Sequence, residues 1–446
     1  MPTLPRLLRR QPGLRIPRHQ ATTAHMPAIY PWHANEGLGM SGVYIGEDTK
    51  THSAWCYDPF QLYADKVISS PNILIVGQIG SGKSTAVKTF VSRSVGMLGN
   101  GYGGSRWCAI VDPKGEYGPL AEMLDLRQVN LYPGGRTRLN PLDGGPMIAS
   151  FADLAVRRTE TMAALTSALV RRDLSPTEEA ALSLAIRAMT AVEEASVNAG
   201  GAVEVPTIET LIRLLVAPTA EMVNDLGVAN DEAFVALAMD MRHGLESLTK
   251  GRLAGMFDGE STEAPNWDRN GVVIDVSSVF GDDRAFELVM IAVTGWLQSL
   301  MAAPEGPEVP RRIQVLEEIW ALLGSKRVAS YYQSSQKLAR AYGVCNIAVA
   351  HRLSDLRAQS DDGTAAAKIA TGILSDTETR ILFRQPTDQI AEATNMLGLT
   401  PTQARTLPTL GKGVSLWQVG SMTAEIKHRV ATPEEAMCWT DGALAT

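Results

Sequence analysis

Residues Gly77-Gln78-Ile79-Gly80-Ser81-Gly82-Lys83-Ser84-Thr85 decide how this chain is read. They match G-x-x-x-x-G-K-[ST], a loop whose backbone N–H groups cradle phosphates. The apolar run Ile73 to Val76 precedes it and reads as a buried strand, punctuated at its start by Pro71 and Asn72. A helical pattern comes next, with Val87, Phe90, Val91 and Val95 on one face. Strand, glycine loop and helix in that order are the context the motif needs. Glycines let the backbone close round a phosphate without Cβ clashes, and the helix N-terminus adds partial positive charge. The motif predicts a site for ATP along the whole stretch, with Lys83 reaching the β- and γ-phosphates and Ser84 ligating Mg²⁺.

The rest of the composition narrows the setting. The chain has 446 residues, 45% hydrophobic and 20% charged, which suits a globular protein of two or three domains. A net charge of −7 argues against a uniformly basic, nucleic-acid-coating surface and leaves room for a local basic lining. Cys56, Cys108, Cys345 and Cys438 lie far apart with no C-x-x-C, which speaks against a disulfide framework or zinc site and fits a reducing cytosol. The most apolar stretch, Ala285 to Ala303, carries Glu287 and Gln298 and reads as a helix packed on a sheet. A cytoplasmic location is expected, with peripheral attachment at the inner face of the cell membrane left open. Residues 1–40 read as a basic flexible arm, with Arg6, Arg9, Arg10, Arg15 and Arg18 interrupted by Pro5, Pro12 and Pro17. A membrane or partner tether is the alternative for that arm.

Periodicity divides the chain beyond this arm. Residues 41–149 form a first α/β part, opening with a hairpin, Val43 to Ile45 and Ser53 to Tyr57, and continuing with strands Trp107 to Val111 and Gln128 to Leu131. Residues 150–265 read as an all-helical insert. Ser175-Pro176-Thr177-Glu178 is a capping box, Thr207 caps a second helix, and Asn230 or Asp231 starts a third. Residues 266–446 resume the core with strands Gly271 to Asp275, Ile313 to Leu316, Asn346 to Ala350 and Thr379 to Phe383. Gly413 to Val419 and Ala424 to Val430 close the chain as an antiparallel pair, after a break at Pro304 to Pro310. The fold class is α/β, a mostly parallel sheet covered on both faces and interrupted by the all-α insert.

A triphosphatase needs acids opposite its phosphate loop, one on the metal side and one to orient water. Strands end in Asp112, in Asp275 and in Glu317-Glu318, and only the last supplies adjacent carboxylates. Glu317 is assigned to Mg²⁺ and Glu318 to water activation. The long gap from Lys83 to Glu317 argues against a nucleoside monophosphate kinase or small GTPase. An LSGGQ-like signature, which would mark an ABC transporter, does not occur.

These segments resemble a known superfamily. Asp112-Pro113-Lys114-Gly115-Glu116-Tyr117 is similar to the D-P-x-G-E-Y segment of HerA/FtsK hexameric motors. Gly255-Met256-Phe257-Asp258-Gly259 resembles the F-D-G segment of conjugation and type IV secretion ATPases, and Leu316-Glu317-Glu318-Ile319-Trp320 their second acidic motif. Ile347 to His351 aligns with a strand usually ending in Thr-Gln, and Ser354-Asp355-Leu356 continues the match. The resemblance is strongest to the large VirB-type ATPase. It implies a RecA-like fold and a ring, commonly a hexamer, with nucleotide at subunit boundaries. It also implies membrane-embedded secretion or conjugation proteins as partners, and DNA or protein as substrate.

In that family the position of His351 is usually a sensor Gln. His351 therefore reads either as a γ-phosphate sensor, with Arg352 as a neighbouring donor, or as a strand-end histidine packed in a turn. Arg380 and Arg384, four apart on one strand face, are candidates for an arginine acting in trans or for ordinary ion pairs. Glu116 reads as a group placing water or metal, or as an anchor of its turn. Two rival functions stand beside an ATP-driven secretion motor. One is a DNA-pumping translocase or coupling protein. The other is a low-turnover, nucleotide-dependent assembly scaffold.

Overall fold

A computed structural model describes residues 37–98, 105–200, 204–303, 309–319, 333–334, 336, 341–351, 372 and 377–438. Most of the basic arm (1–36), the Pro304 to Glu308 part of the proline-rich break, Trp320, Arg352 and Ser354-Asp355-Leu356 lie outside the described residues.

Eleven strands among the described residues make one sheet. In chain order they are β1 (Val43–Asp48), β2 (Ala54–Tyr57), β3 (Ile73–Val76), β4 (Arg106–Asp112), β5 (Arg127–Asn130) and β6 (Gly271–Asp275). The later strands are β7 (Arg311–Leu316), β8 (Val344–Ala350), β9 (Thr379–Leu382), β10 (Val414–Val419) and β11 (Met422–His428). The spatial order is β2-β1-β11-β10-β9-β3-β8-β7-β4-β6-β5. The seven strands from β9 to β5 run parallel. The other four are antiparallel and extend the β9 edge, with the predicted N-terminal hairpin paired to the closing strands through β1 and β11.

Alternation along the strands explains why both faces are covered. Leu74, Val76, Ala109 and Val111 enter one apolar core, while Ile73, Ile75, Cys108 and Ile110 enter the other. The second core is closed by α1 (Pro59–Ala64), α2 (Lys83–Leu98) and α3 (Gly118–Leu124), through Phe60, Val87, Phe90, Val91 and Leu120. The first is closed by α4 (Phe151–Val170), α5 (Pro176–Asn198), α6 (Ile208–Val216), α7 (Ala220–Leu226), α8 (Asp231–Lys250) and α9 (Asp283–Met301). Helix α9 is apolar nearly all round because it is buried there. No helix among the described residues is long and apolar enough to cross a membrane.

Helices α4 to α8 succeed one another between β5 and β6, and capping chemistry sets where they start. Ser175 accepts from the Glu178 N–H while the Glu178 carboxylate accepts from the Ser175 N–H, with Pro176 leading the helix. Thr207 caps α6, and Asn230, rather than Asp231, caps α8 by accepting from the Ala233 N–H at 2.9 Å. Helices α4 and α7 also begin on capping hydroxyls, Ser150 and Thr219.

A buried polar network joins α4 and α5 to the segment after β5, and a second joins that segment to α9. Arg158 on α4 donates to Glu193 on α5 at 2.6 Å, to Thr190 at 3.0 Å and to the Leu142 carbonyl at 2.7 Å. Nearby, Asp143 accepts from Ser261 and from the Trp296 indole. Burial pushes the Asp143 carboxyl up to about 6, against the lowering effects of those two donors and of Arg158. Because the folded state favours its protonated form, this carboxyl contributes full stability at acid pH and loses it as pH rises through about 6. Asp143→Asn, which removes the charge and keeps an accepting oxygen, is expected to stabilise the protein by about 1–2 kcal/mol at slightly alkaline pH and to flatten the decline above pH 4. Urea midpoints across that range test this; a variant whose midpoints parallel the parent at every pH would contradict it.

Candidate nucleotide site

The parallel strands all end along one edge of the sheet. Val76 stands beside Ala350 and Leu382, Val111 beside Leu316, and Asp112 beside Asp275. Gly77, His351, Phe383-Arg384, Glu317 and Pro113 therefore leave the sheet together. In open α/β sheets this carboxyl edge is where ligands bind.

The glycine loop is shaped by its backbone. Gly80 and Gly82 have φ of +74° and +110°, where side chains are strained. A Cβ at Gly77 would fall 2.4 Å from the Phe383 Cβ. The loop is braced on both sides: the Gln78 N–H donates to the Arg384 carbonyl at 3.1 Å, and the Gly413 N–H donates to the Ser81 carbonyl at 3.0 Å. With its amide oriented to present oxygen, the Gln78 side chain accepts from the Arg384 Nε and Nη2 at 2.6 and 2.7 Å. Ile79 stands almost fully exposed at the tip of the loop. Ser84 is half-buried in the first turn of α2.

Lys83 is buried at the base of the cradle. Its Nζ donates to the carbonyls of Gly77 and Gln78 and lies 3.0 Å from His351 Nδ1. Burial, and then repulsion from Lys114, bring its ammonium down to about 8, while Glu317 and Glu318 pull the other way.

Asp112 organises the turn that faces this lysine. Its carboxylate accepts from the N–H groups of Lys114 at 3.1 Å and Tyr117 at 2.8 Å, and Gly115 takes a φ of +68°. The turn aims two side chains at the acidic pair. The Tyr117 hydroxyl donates to Glu317 Oε1 at 2.5 Å, with Lys88 stacked over the tyrosine ring at 5.1 Å from its centroid. The Lys114 Nζ pairs with Glu318 Oε1 at 2.8 Å. Glu116, half-buried in the same turn, acts through charge on Lys114, Lys88 and Glu317. Asp275 accepts from the Ser277 N–H at 2.9 Å, and its carboxylate lies beside Gly115 at the end of the neighbouring strand.

The two adjacent glutamates have different environments. Both are 3% exposed. Burial raises the Glu317 carboxyl, against the Tyr117 hydrogen bond and the Lys114 charge. Glu318 has a left-handed φ of +55°, an uncommon conformation for a non-glycine residue, and it turns the side chain toward Lys114 and His351. Burial alone would raise its carboxyl; the hydrogen bond from His351, with the hydrogen bond and charge of Lys114, outweighs that and holds it well below the usual carboxylate range.

His351 lies between the halves of the site. Lys83 can only donate, so His351 Nδ1 accepts and carries no proton. Its Nε2–H then donates to Glu318 Oε1 at 2.6 Å. The 3.1 Å approach of Lys114 Nζ to the same Nε2 is a packing contact in this tautomer. Lys83, His351, Glu318 and Lys114 thus form one continuous chain of polar contacts.

The arginine pair separates in role. Arg380 on β9 gives its guanidinium to the carbonyls of Thr377 at 3.0 Å and Leu397 at 3.2 Å, the latter ending the helix Ile390–Leu397. Arg384 is exposed beside Gln78 of its own glycine loop. Lys114 and Tyr117 join the site through tertiary contacts that sequence reasoning misses. Their only linear signal is the Asp112–Tyr117 segment at a strand end.

The family model for the helicase HerA central domain matches residues 45–279, more than half of the chain. The chain belongs to that family. No curated protein sequence matches it. Among solved structures, this HerA-family chain is similar to VirB4 of Thermoanaerobacter pseudethanolicus, with 20% identity, a TM-score of 0.67, and coverage of 89% of this chain and 98% of that one. It is also similar to the bacterial conjugative coupling protein TrwB. The identity is 15%, the TM-score 0.51, and coverage 81% of this chain and 85% of that one. At these identities the likeness is one of fold, the RecA-like mostly parallel sheet that the sequence motifs imply.

Proposed function

We propose that this HerA-family chain is a Mg²⁺-dependent ATPase that powers a conjugation or type IV secretion system, for substrate transfer or assembly of the apparatus. The observation that carries the reading is the convergence of Lys83 of the glycine loop with His351 and Glu318. Phosphoryl transfer asks a protein for positioning and charge stabilisation more than for covalent chemistry. Gly77 to Thr85 would hold the phosphates, Lys83 would neutralise them, and Glu318 would accept a hydrogen bond from the attacking water. Staying ionised, Glu318 orients that water better than it captures its proton. His351, fixed by both neighbours, would report on the γ-phosphate.

The donor set fits Mg²⁺. Ser84 and Glu317 offer oxygen ligands, and no group of three His, Cys, Asp or Glu side chains among the described residues forms a metal cage. Magnesium needs no such cage, because phosphates and waters complete its shell. When bound, it would neutralise charge on the phosphates. One solved form of TrwB carries ADP and Mg²⁺.

In a ring with nucleotide at subunit boundaries, Arg384 is the better placed of the two arginines to meet a neighbour, because Arg380 is held by carbonyls. A cytoplasmic ring, probed as a mass shift with ATP and Mg²⁺, and membrane-embedded partners belong to the same proposal. Pumping of DNA itself is the second reading; the likeness of fold to the TrwB coupling protein favours it, and strong stimulation of turnover by DNA would select it.

Lys83→Ala tests the site directly. ATP affinity should fall by about 100-fold, because a charge-assisted contact is lost from a buried position. Titration of a fluorescent ATP analogue reads this, and unchanged affinity would remove the glycine loop from the site.

A further inference from the structure

We propose that Lys114 is a second γ-phosphate ligand, and that Glu318 competes with the phosphate for it. The proposal presupposes that a triphosphate binds at Gly77 to Thr85. Its basis is the placement of two ammonium groups on opposite nitrogens of one imidazole. Lys83 Nζ lies 3.0 Å from His351 Nδ1 and Lys114 Nζ lies 3.1 Å from Nε2, so a single ring separates the phosphate-loop lysine from Lys114. The two lysines repel each other, which is part of why the Lys83 ammonium is depressed. An anion bridging them relieves that repulsion, and a diphosphate lacks the terminal group to do so.

The pair Lys114–Glu318 is built for exchange. Glu318 is 3% exposed and is fixed by His351 at 2.6 Å and by its own left-handed backbone. The Lys114 side chain is 26% exposed and stands on a flexible four-carbon stem. Its backbone is pinned by Asp112 at 3.1 Å, so the head can swing while its base stays in place. A γ-phosphate carries more charge than one carboxylate and offers more acceptor oxygens. Transfer of Lys114 to the phosphate frees one lone pair of Glu318 Oε1 for water, while His351 keeps the carboxylate aligned. Water positioning thereby becomes conditional on a triphosphate. Lys114 acts as a ligand of the phosphate and as a positioning residue for Glu318.

The test is equilibrium binding of ADP and of a non-hydrolysable ATP analogue to wild type, Lys114→Met, Lys114→Arg, Glu318→Gln and the Lys114→Met/Glu318→Gln double variant, with Mg²⁺. Lys114→Met should cut the preference for triphosphate over diphosphate by about 10- to 100-fold, the worth of a charge-assisted hydrogen bond. Lys114→Arg should keep most of it. Glu318→Gln should raise that preference by about 10-fold when Lys114 is present and much less when it is Met, because the competitor matters only if there is a lysine to compete for. Equal effects of Glu318→Gln in both backgrounds, or a Lys114→Met change shared by both nucleotides, would overturn the proposal and leave the glycine-loop site standing. Failure of the wild type to bind either nucleotide would remove that site and this inference together.

Discussion

ATP turnover by Glu318→Gln should fall by about 10²- to 10⁴-fold while ATP still binds, the range by which a positioned acid–base group contributes to rate. Glutamine keeps the length of the side chain and one accepting oxygen, so His351 can still donate to it. What is lost is the negative charge that polarises water, along with the ion pair to Lys114. The left-handed backbone at residue 318 is unaffected by the change, so the loop should keep its course. Phosphate release at saturating ATP and Mg²⁺, measured beside binding of the same nucleotide, separates chemistry from affinity. A variant as fast as the parent would take Glu318 out of the reaction. A parent as inactive as the variant, with ATP bound to both, would instead favour the low-turnover scaffold.

Glu193→Ala is the largest expected effect on stability, about 3–5 kcal/mol. Arg158 is 2% exposed and its Nη2 has no partner among the described residues, so the guanidinium depends on Glu193 and Thr190 at Nη1 and on the Leu142 carbonyl at Nε. Truncating Glu193 leaves a buried cation without its counter-charge. The double variant Arg158→Met/Glu193→Leu removes both charges and should recover most of the loss, since a well-packed apolar pair often equals a buried ion pair. Urea midpoints for the two variants decide the matter. A Glu193→Ala shift below about 1 kcal/mol would show that water or a relaxed backbone solvates Arg158.

Much of this architecture is written in local pattern. The run Ile73 to Val76 is apolar at every position because both faces of β3 are covered, and it reads as a buried strand without any tertiary knowledge. The spacing of Val87, Phe90, Val91 and Val95 marks the buried face of α2 for the same reason. Ser175, Thr207 and the pair Asn230-Asp231 announce helix starts because a capping bond spans only three residues. The glycine loop and the adjacent acids Glu317 and Glu318 are equally local.

What the linear order leaves open is which strand ends meet. Strand β8 inserts beside β3, and the closing hairpin returns to the opening one; neither placement has a signature within either strand. Lys83 meets His351 across 268 residues, Lys114 meets it across 237, and Tyr117 meets Glu317 across 200. In the linear chain, Lys114 is therefore one more charged residue in a turn, and nothing near His351 chooses between a sensing and a packed role. The arginines illustrate the same limit: the expected shared strand face fails because β9 ends at Leu382, so Arg380 stays on the strand and reaches the Leu397 carbonyl while Arg384 lies beyond it beside the Gln78 amide.

From the sequence by itself come the phosphate loop, the acid pair and the alternation of strands and helices, since each depends on side-chain period and backbone geometry within a few residues. Only the tertiary structure decided that two lysines, one histidine and one strained glutamate share a single charge network. Long-range electrostatics depends on distance in space, and that distance is set by the strand order and register of the sheet.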